Sequence, residues 1–308
     1  RIYLDNPAGT QTPRHVIEAM TACLTRYNAN LGGRFSTSQG AEALTARARE
    51  AMAEFLNAYS PEEITFGQNM TTLTFHISRS LGRRFSKGDE IIVTRMDHDA
   101  NITPWVMLAE DLGLRIKWLD VDVERFELKL DMLDGLLSPK TALVAVGLAS
   151  NAIGAVNDVK AIVRKAKAAG ALAYVDAVQY APHRLIDVRD LDCDFLVCSP
   201  YKFYGPHIGV LWGRKDLMRE LTPYKVRAMP DDAPERFETG TLSHESMAGA
   251  LGAVDYLAWY GETFGPAGIN YAPDAGKRRR AIVGAYAAMH DYEEELTWRL
   301  IDGLKRIP

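Results

Sequence analysis

Seven short apolar runs alternate with helical patterns or tight turns between residues 63 and 213, and this rhythm limits the fold more than any other feature. The runs are Glu63–Gly67, Glu90–Thr94, Arg115–Val121, Thr141–Ser150, Ala171–Ala177, Asp194–Ser199 and Gly209–Gly213. Helical patterns lie between them, from about Thr71, over Thr103–Gly113, over Leu130–Leu137 and over Asp158–Gly170. The last has Asp at its start and Gly at its end, the residues that begin and stop helices. Strands apolar on both faces and separated by helices predict an α/β fold of three layers, a mainly parallel sheet covered by helices. The link before Gly209–Gly213 is a short turn, which admits an antiparallel strand there.

From about Glu245 the pattern is helical to the end, with a Gly- and Pro-rich stretch at Gly265–Arg279 as the linker candidate. The expected division is a large unit over 1–260 and, over 261–308, a linker and the start of a small C-terminal domain that is incomplete. The first residue is not methionine and the last residues follow directly on an amphipathic pattern, so both ends read as cut.

The formal charge of −4 over 308 residues gives no electrostatic case for nucleic acid or a membrane surface. No apolar run has the length of a membrane span, and no signal peptide opens the chain. Cys23, Cys193 and Cys198 form neither a disulfide framework nor a zinc spacing, and they fit a reducing, cytoplasmic setting.

In an open sheet of this kind, ligands bind beyond the carboxyl ends of the strands. The residues that follow the runs therefore belong together: Gly67 to Thr72, Asp97-His98-Asp99, Ser150-Asn151, Asp176 to Gln179, and Ser199 to Lys202. Lysine, aspartate, hydroxyls and a helix start suit pyridoxal phosphate (PLP). The lysine amine forms a Schiff base with the cofactor aldehyde. A carboxylate facing the ring nitrogen keeps it protonated, and hydroxyls and free amides at a helix start take the phosphate.

Each residue also has an ordinary reading. A lone lysine in a turn is usually solvated, an aspartate ending a strand is usually a turn residue, and Thr71 and Thr72 suit a helix cap. Asp97-His98-Asp99 offers three metal ligands, but neighbours in an extended segment point opposite ways and do not converge. No metal site is expected. Gly205, Gly209 and Gly213 match no dinucleotide fingerprint, which argues against an NAD enzyme.

The segments YLDNPAGTQTP, MDHDANITPW, ASNAIGAVNDV, YVDAVQYAPHRLIDVRDLDCDFLVCSPYKFYGPHIGVLWGR and RFETGTLSHES resemble, in order, the class V aminotransferase family of fold type I PLP enzymes, on its cysteine desulfurase/selenocysteine lyase branch. The resemblance implies that Lys202 is the Schiff-base lysine, that Asp176 pairs with the ring nitrogen and that His98 stacks on the ring. Gln179 would reach the phenolic oxygen, with Asn151 near it and near the substrate carboxylate. Met70 through its backbone, Thr71, Ser199 and Tyr201 would hold the phosphate. Thr241 would reach the phosphate of a neighbouring subunit, which makes a homodimer with shared active sites. The substrate would be a small amino acid, and a sulfur-acceptor protein would be a further partner. Aminotransferase, epimerase or β-lyase chemistry, or PLP binding without desulfurase activity, remain as alternatives.

Three departures from that family stand out. Tyr201 occupies the place where a histidine is common, and a tyrosine can donate to phosphate but carries no imidazolium charge. Met70 and Thr72 replace a hydroxyl and an acid. No cysteine follows Cys198, and the family's carboxylate-binding arginine is not found.

Overall fold

The computed structural model describes residues 2–307. One sheet is built from β1 (Ile64–Gly67), β2 (Glu90–Thr94), β3 (Arg115–Leu119), β4 (Thr141–Gly147), β5 (Leu172–Asp176), β6 (Phe195–Cys198) and β7 (Gly209–Gly213). The spatial order is β1-β7-β6-β5-β4-β2-β3. Strands β3, β2, β4, β5 and β6 run parallel, while β7 is antiparallel to both β6 and β1. The short turn before β7 thus makes the antiparallel pairing that its length allows.

The helices are α1 (Arg14–Arg26), α2 (Ser36–Leu56), α3 (Met70–Gly82), α4 (Thr103–Leu112), α5 (Leu130–Leu136), α6 (Val159–Ala168), α7 (Val188–Leu191), α8 (Lys215–Glu220), α9 (His244–Phe264) and α10 (Lys277–Leu304). Alternate residues of each central strand enter two separate cores, as the two-residue period of a strand requires. Leu143, Ala145, Tyr174, Phe195 and Val197 face a core with α3 and α4, around the fully buried Trp105. Val144, Val146, Ala173, Val175 and Leu196 face a larger core with α2, α6, α9 and α10. Each fully buried Val, Leu or Ile adds about 1.5–3 kcal/mol, so both faces are anchored and the strand ends are held in register.

Three expectations differ from the structure. The run Thr141–Ser150 stops being a strand at Gly147, because Asn157 Nδ2 takes the Gly147 carbonyl (2.8 Å) and Ala149 bridges Val156, which folds 150–154 into a turn. The run Arg115–Val121 ends at Leu119, and Val121–Asp122 pairs with Glu127–Leu128 in a small hairpin. The break between α9 and α10, over 265–276, falls in the Gly- and Pro-rich stretch expected as a linker. A boundary at 260 falls within α9, and Ile282, Tyr286 and Met289 of α10 lie in the larger core. A Cβ on Gly261 would lie 1.8 Å from the Ala281 carbonyl oxygen, so α9 and α10 cross backbone to backbone.

Candidate active site

Six chain segments meet beyond the carboxyl ends of the sheet and enclose a cavity of about 350 Å³. Its lining includes Met70, Thr71, His98, Asn151, Asp176, Gln179, Ser199, Tyr201 and Lys202. Nine of the ten residues singled out in the sequence are therefore in one place. The tenth, Thr241, is exposed in the loop before α9 and lines a different cavity with Gln68, Thr72 and His207.

Lys202 ends a single 3-10 turn, Pro200–Lys202, that follows β6. The turn closes with the Gly205 amide on the Pro200 carbonyl (2.8 Å), and a Cβ on Gly205 would lie 2.6 Å from the Pro200 Cβ. The Lys202 side chain is only 8% exposed. Its ammonium donates to the Pro7 carbonyl and lies 5.1 Å from the centre of the Tyr201 ring. Burial lowers its pKa, with Asp176 and Asp5 opposing. A lowered lysine pKa leaves more neutral amine, the form that attacks a carbonyl.

Asp176 ends β5, the middle strand, and is buried. Its Oδ1 accepts from the Val178 amide (2.8 Å). Burial pushes its pKa up to about 7, the Val178 amide pulls it down, nearby Asp97 raises it further, and Lys202 lowers it. Such a carboxyl waits for a cation: a positive group placed against it favours the ionised form.

The third element is the start of α3. Asn69 caps it, with Oδ1 accepting from the Thr72 amide (2.9 Å) and the Asn69 amide donating back to Thr72 Oγ1 (3.3 Å). The cap serves Thr72, and the Met70 and Thr71 amides stand among the first helix donors, which have no acceptor within the helix. The helix dipole adds positive potential at the same end. Gly209 of β7 lets this turn lie against the sheet, since a Cβ there would be 2.4 Å from the Asn69 carbonyl carbon.

Two buried oxygens that line the cavity, Ser199 Oγ and Gln179 Oε1, have no hydrogen-bond partner among the described residues. Buried polar atoms are rarely left so, and both atoms suit a polar ligand. His98 is exposed on the cavity edge, with Nδ1 accepting from the Ala100 amide (3.1 Å). Asp97, His98 and Asp99 bond in three directions: to Thr94, Asn101 and Gly147, to Ala100, and to Thr103.

The structure also brings in residues that the sequence did not single out. The segment around Pro7 crosses the cavity. Its carbonyl takes both Lys202 and Gln179 Nε2 (3.2 Å), and Thr10 binds the Tyr201 carbonyl through its amide (3.0 Å) and hydroxyl (3.1 Å). No sequence signal joins residues almost two hundred positions apart. Asp97 is the other addition, and it stood in the strand-end set from the start. A second, wider cavity of about 530 Å³ shares Pro7, Ala149, Asn151 and Gln179 with the first and is walled by His183, Arg184 and His290. All three cysteines are buried and free, and none lines either of these cavities.

Comparison with known proteins gives a consistent picture. A family model described as aminotransferase class-V matches residues 2–264. A protein of Streptomyces coelicolor named probable cysteine desulfurase is 37% identical over 274 residues, which are 83% of this chain and 65% of that protein. The chain thus spans about two thirds of the length of such relatives. The solved structure of the cysteine desulfurase CsdA (S-sulfonic acid) from Escherichia coli has a TM-score of 0.77 at 30% identity, over 85% of this chain and 70% of that one. A structure of a C-DES mutant with glycine covalently linked to its PLP cofactor has a TM-score of 0.72 at 25% identity, over 82% of this chain and 69% of that one.

Proposed function

Because the chain belongs to the class-V aminotransferase family, we propose that it is a PLP-dependent enzyme acting on a small amino acid, with cysteine desulfurase-like chemistry. The observation that carries this reading is the meeting, in one cavity, of a buried lysine, a buried carboxyl and a capped helix start.

The residues fit the cofactor. Lys202 would hold it covalently, Asp176 would face the ring nitrogen, and His98 would cover the ring. The Met70 and Thr71 amides, the Ser199 hydroxyl and the Tyr201 phenol would hold the phosphate, and Gln179 the phenolic oxygen. The phosphate role gives Ser199 Oγ the partner it lacks within the chain. When bound, PLP supplies an electron sink for the bond broken at the substrate Cα.

The chain's own part is to bind, orient and move one proton. Lys202 would be the base for the substrate Cα proton. Its burial shifts it toward the neutral form that accepts one. Asp176 would hold positive charge on the ring nitrogen through charge pairing. Asn151 lies between the two cavities and suits the substrate carboxylate, and the wider cavity suits entry of an amino acid. Thr241, placed outside this chain's own cavity, would serve the phosphate of a second copy in a homodimer.

The three cysteines favour a second reading within the same family. Burial raises the pKa of each, and for Cys198 the charge of Asp176 adds to it, so none is a ready thiolate. Sulfur transfer through a cysteine of the described residues is therefore disfavoured, and amino transfer, epimerisation or β-elimination gain weight. A sulfur-acceptor protein belongs only to the first reading. No helix among the described residues is long and apolar enough to cross a membrane.

The test begins with purified protein and PLP. A visible absorbance band that borohydride removes is expected, and Lys202→Ala should lack it. A band that survives in Lys202→Ala overturns the lysine assignment. Cysteine, selenocysteine and alanine are then added. Sulfide or selenide release supports the first reading, and keto-acid or racemised product without it supports the second. A band unchanged by every amino acid would sink the enzyme reading altogether.

A further inference from the structure

A second carboxyl group lines the same cavity and has no part in the scheme above. Asp97 follows β2 and is half-buried. Its Oδ1 accepts from the Gly147 amide (2.9 Å) and the Thr94 hydroxyl (2.9 Å), and its Oδ2 from Asn101 Nδ2 (2.7 Å). One side chain thereby ties together the end of β2, the turn Asp99–Asn101 beside His98, and the end of β4.

The Gly147 contact leads straight to the proposed ring-nitrogen site, because Gly147 and Asp176 are paired neighbours on β4 and β5. A side chain at 147 would crowd the carboxylate: a Cβ there would lie 3.1 Å from Asp97 Oδ1. Asp97 has three donors and Asp176 one. A carboxylate with more donors keeps its charge more readily, so Asp97 is the group that ionises first. Burial pushes Asp97 up to about 6, below the value of about 7 for Asp176, and the charge of Asp97 is one reason Asp176 sits so high.

We propose that Asp97 is a positioning residue with two tasks: its hydrogen bonds fix the turn that carries His98, and its negative charge stabilises a cationic ring nitrogen at Asp176. The inference rests on the PLP reading above. The charged and titratable groups that face Asp176 are Asp97 from the loop after β2 and Lys202 from the turn after β6. Tyr174, Tyr201 and Cys198 also feel its charge, and all three are held neutral with raised pKa values. Asp97 itself meets neutral partners in Thr94, Asn101 and Gly147.

The test uses holoprotein loaded with PLP labelled with ¹⁵N in its ring, whose nitrogen shift reports protonation directly. Asp97→Asn keeps the size and removes the charge. It should lower the pH midpoint of ring protonation by about 0.5–2 units, the range for directly coupled neighbours. Thr94→Val removes the hydroxyl that donates to Asp97 and accepts from the Met96 and Asp97 amides, and leaves the charge, so its midpoint should stay with the parent. An unchanged midpoint in Asp97→Asn, or an equal shift in both variants, overturns the charge role. If Asp97→Asn does not fold, cofactor-free parent protein with ¹³C-labelled aspartate carboxyls decides. Asp97, Asp176 and Asp194 should titrate above the usual range, with Asp97 ionising before Asp176. An Asp97 that is still protonated when Asp176 ionises overturns the charge role. A parent protein that takes up no PLP removes the underlying reading instead, and the carboxyl titration still tests the pairing.

Discussion

Gly209→Ala is the sharpest test of whether the start of α3 is a phosphate site. The new Cβ would lie 2.4 Å from the Asn69 carbonyl carbon and 2.7 Å from the Met70 nitrogen, both backbone atoms. An ordinary contact begins near 3.4 Å, so the capped turn must retreat by about 1 Å. Such overpacking costs about 1–3 kcal/mol of stability. The same shift moves the Met70 and Thr71 amides, whose hydrogen bonds to a charged group are worth about 1.5–3 kcal/mol each. Losing about one such bond weakens PLP binding by about 10- to 100-fold, since 1.4 kcal/mol is tenfold. Gly213→Ala is the control at the other end of the same strand. There the Cβ meets the flexible Met218 side chain at 2.7 Å and lies near no cavity residue. PLP affinity by absorbance titration, beside urea unfolding of the cofactor-free proteins, separates the two. Folded Gly209→Ala that binds PLP as tightly as the parent would refute the reasoning, as would an equal loss of affinity in Gly213→Ala.

Three further outcomes are expected. Asn69→Ala removes the cap on α3 and should cost about 1 kcal/mol in urea unfolding, with a measurable loss of PLP affinity because the freed turn no longer holds its amides in place. Glu238→Ala breaks a buried pair in which Arg49 contacts both carboxylate oxygens at 2.7 Å and the Phe66 amide adds a third bond (3.0 Å). The stranded guanidinium should cost about 3–5 kcal/mol, read as a lower urea midpoint. Asp97 and Asp176 both have pKa values raised above the ordinary 3.8, so the folded state binds their protons more tightly than the unfolded chain. Their contribution is full below about pH 4 and is lost as pH rises through 6 and 7, so cofactor-free protein should lose stability over that window. Asp176→Asn should flatten the fall, and an unchanged slope would show that Asp176 does not titrate there.

The layers of this fold follow from patterns that lie within single segments, which is why they are legible in the sequence. Strand β7 coincides with the apolar run Gly209–Gly213, and Asp158 caps α6, with Oδ1 accepting from the Ala161 amide (3.0 Å). The errors fall where a distant partner decides. Thr141–Ser150 is apolar throughout, yet Asn157 ends the strand at Gly147, and no local signal weighs that side chain against three more strand residues. The site divides along the same line. Asp176 ends a strand, Lys202 and the turn at Asn69–Thr72 lie in the turns that follow one, and topology alone brings strand ends together. Pro7 has no such address. It reaches Lys202 because Thr10 is pinned to the Tyr201 carbonyl and because Gly9 has no side chain, where a Cβ would come within 3.2 Å of the Tyr201 ring. Asp97 is the instructive intermediate. Its position after β2 marked it for the site, but its use depends on Gly147, fifty residues on, being bare beside Asp176. A reading by strand ends therefore finds which residues gather, and the hydrogen bonds between those ends decide which of two carboxyls holds the charge.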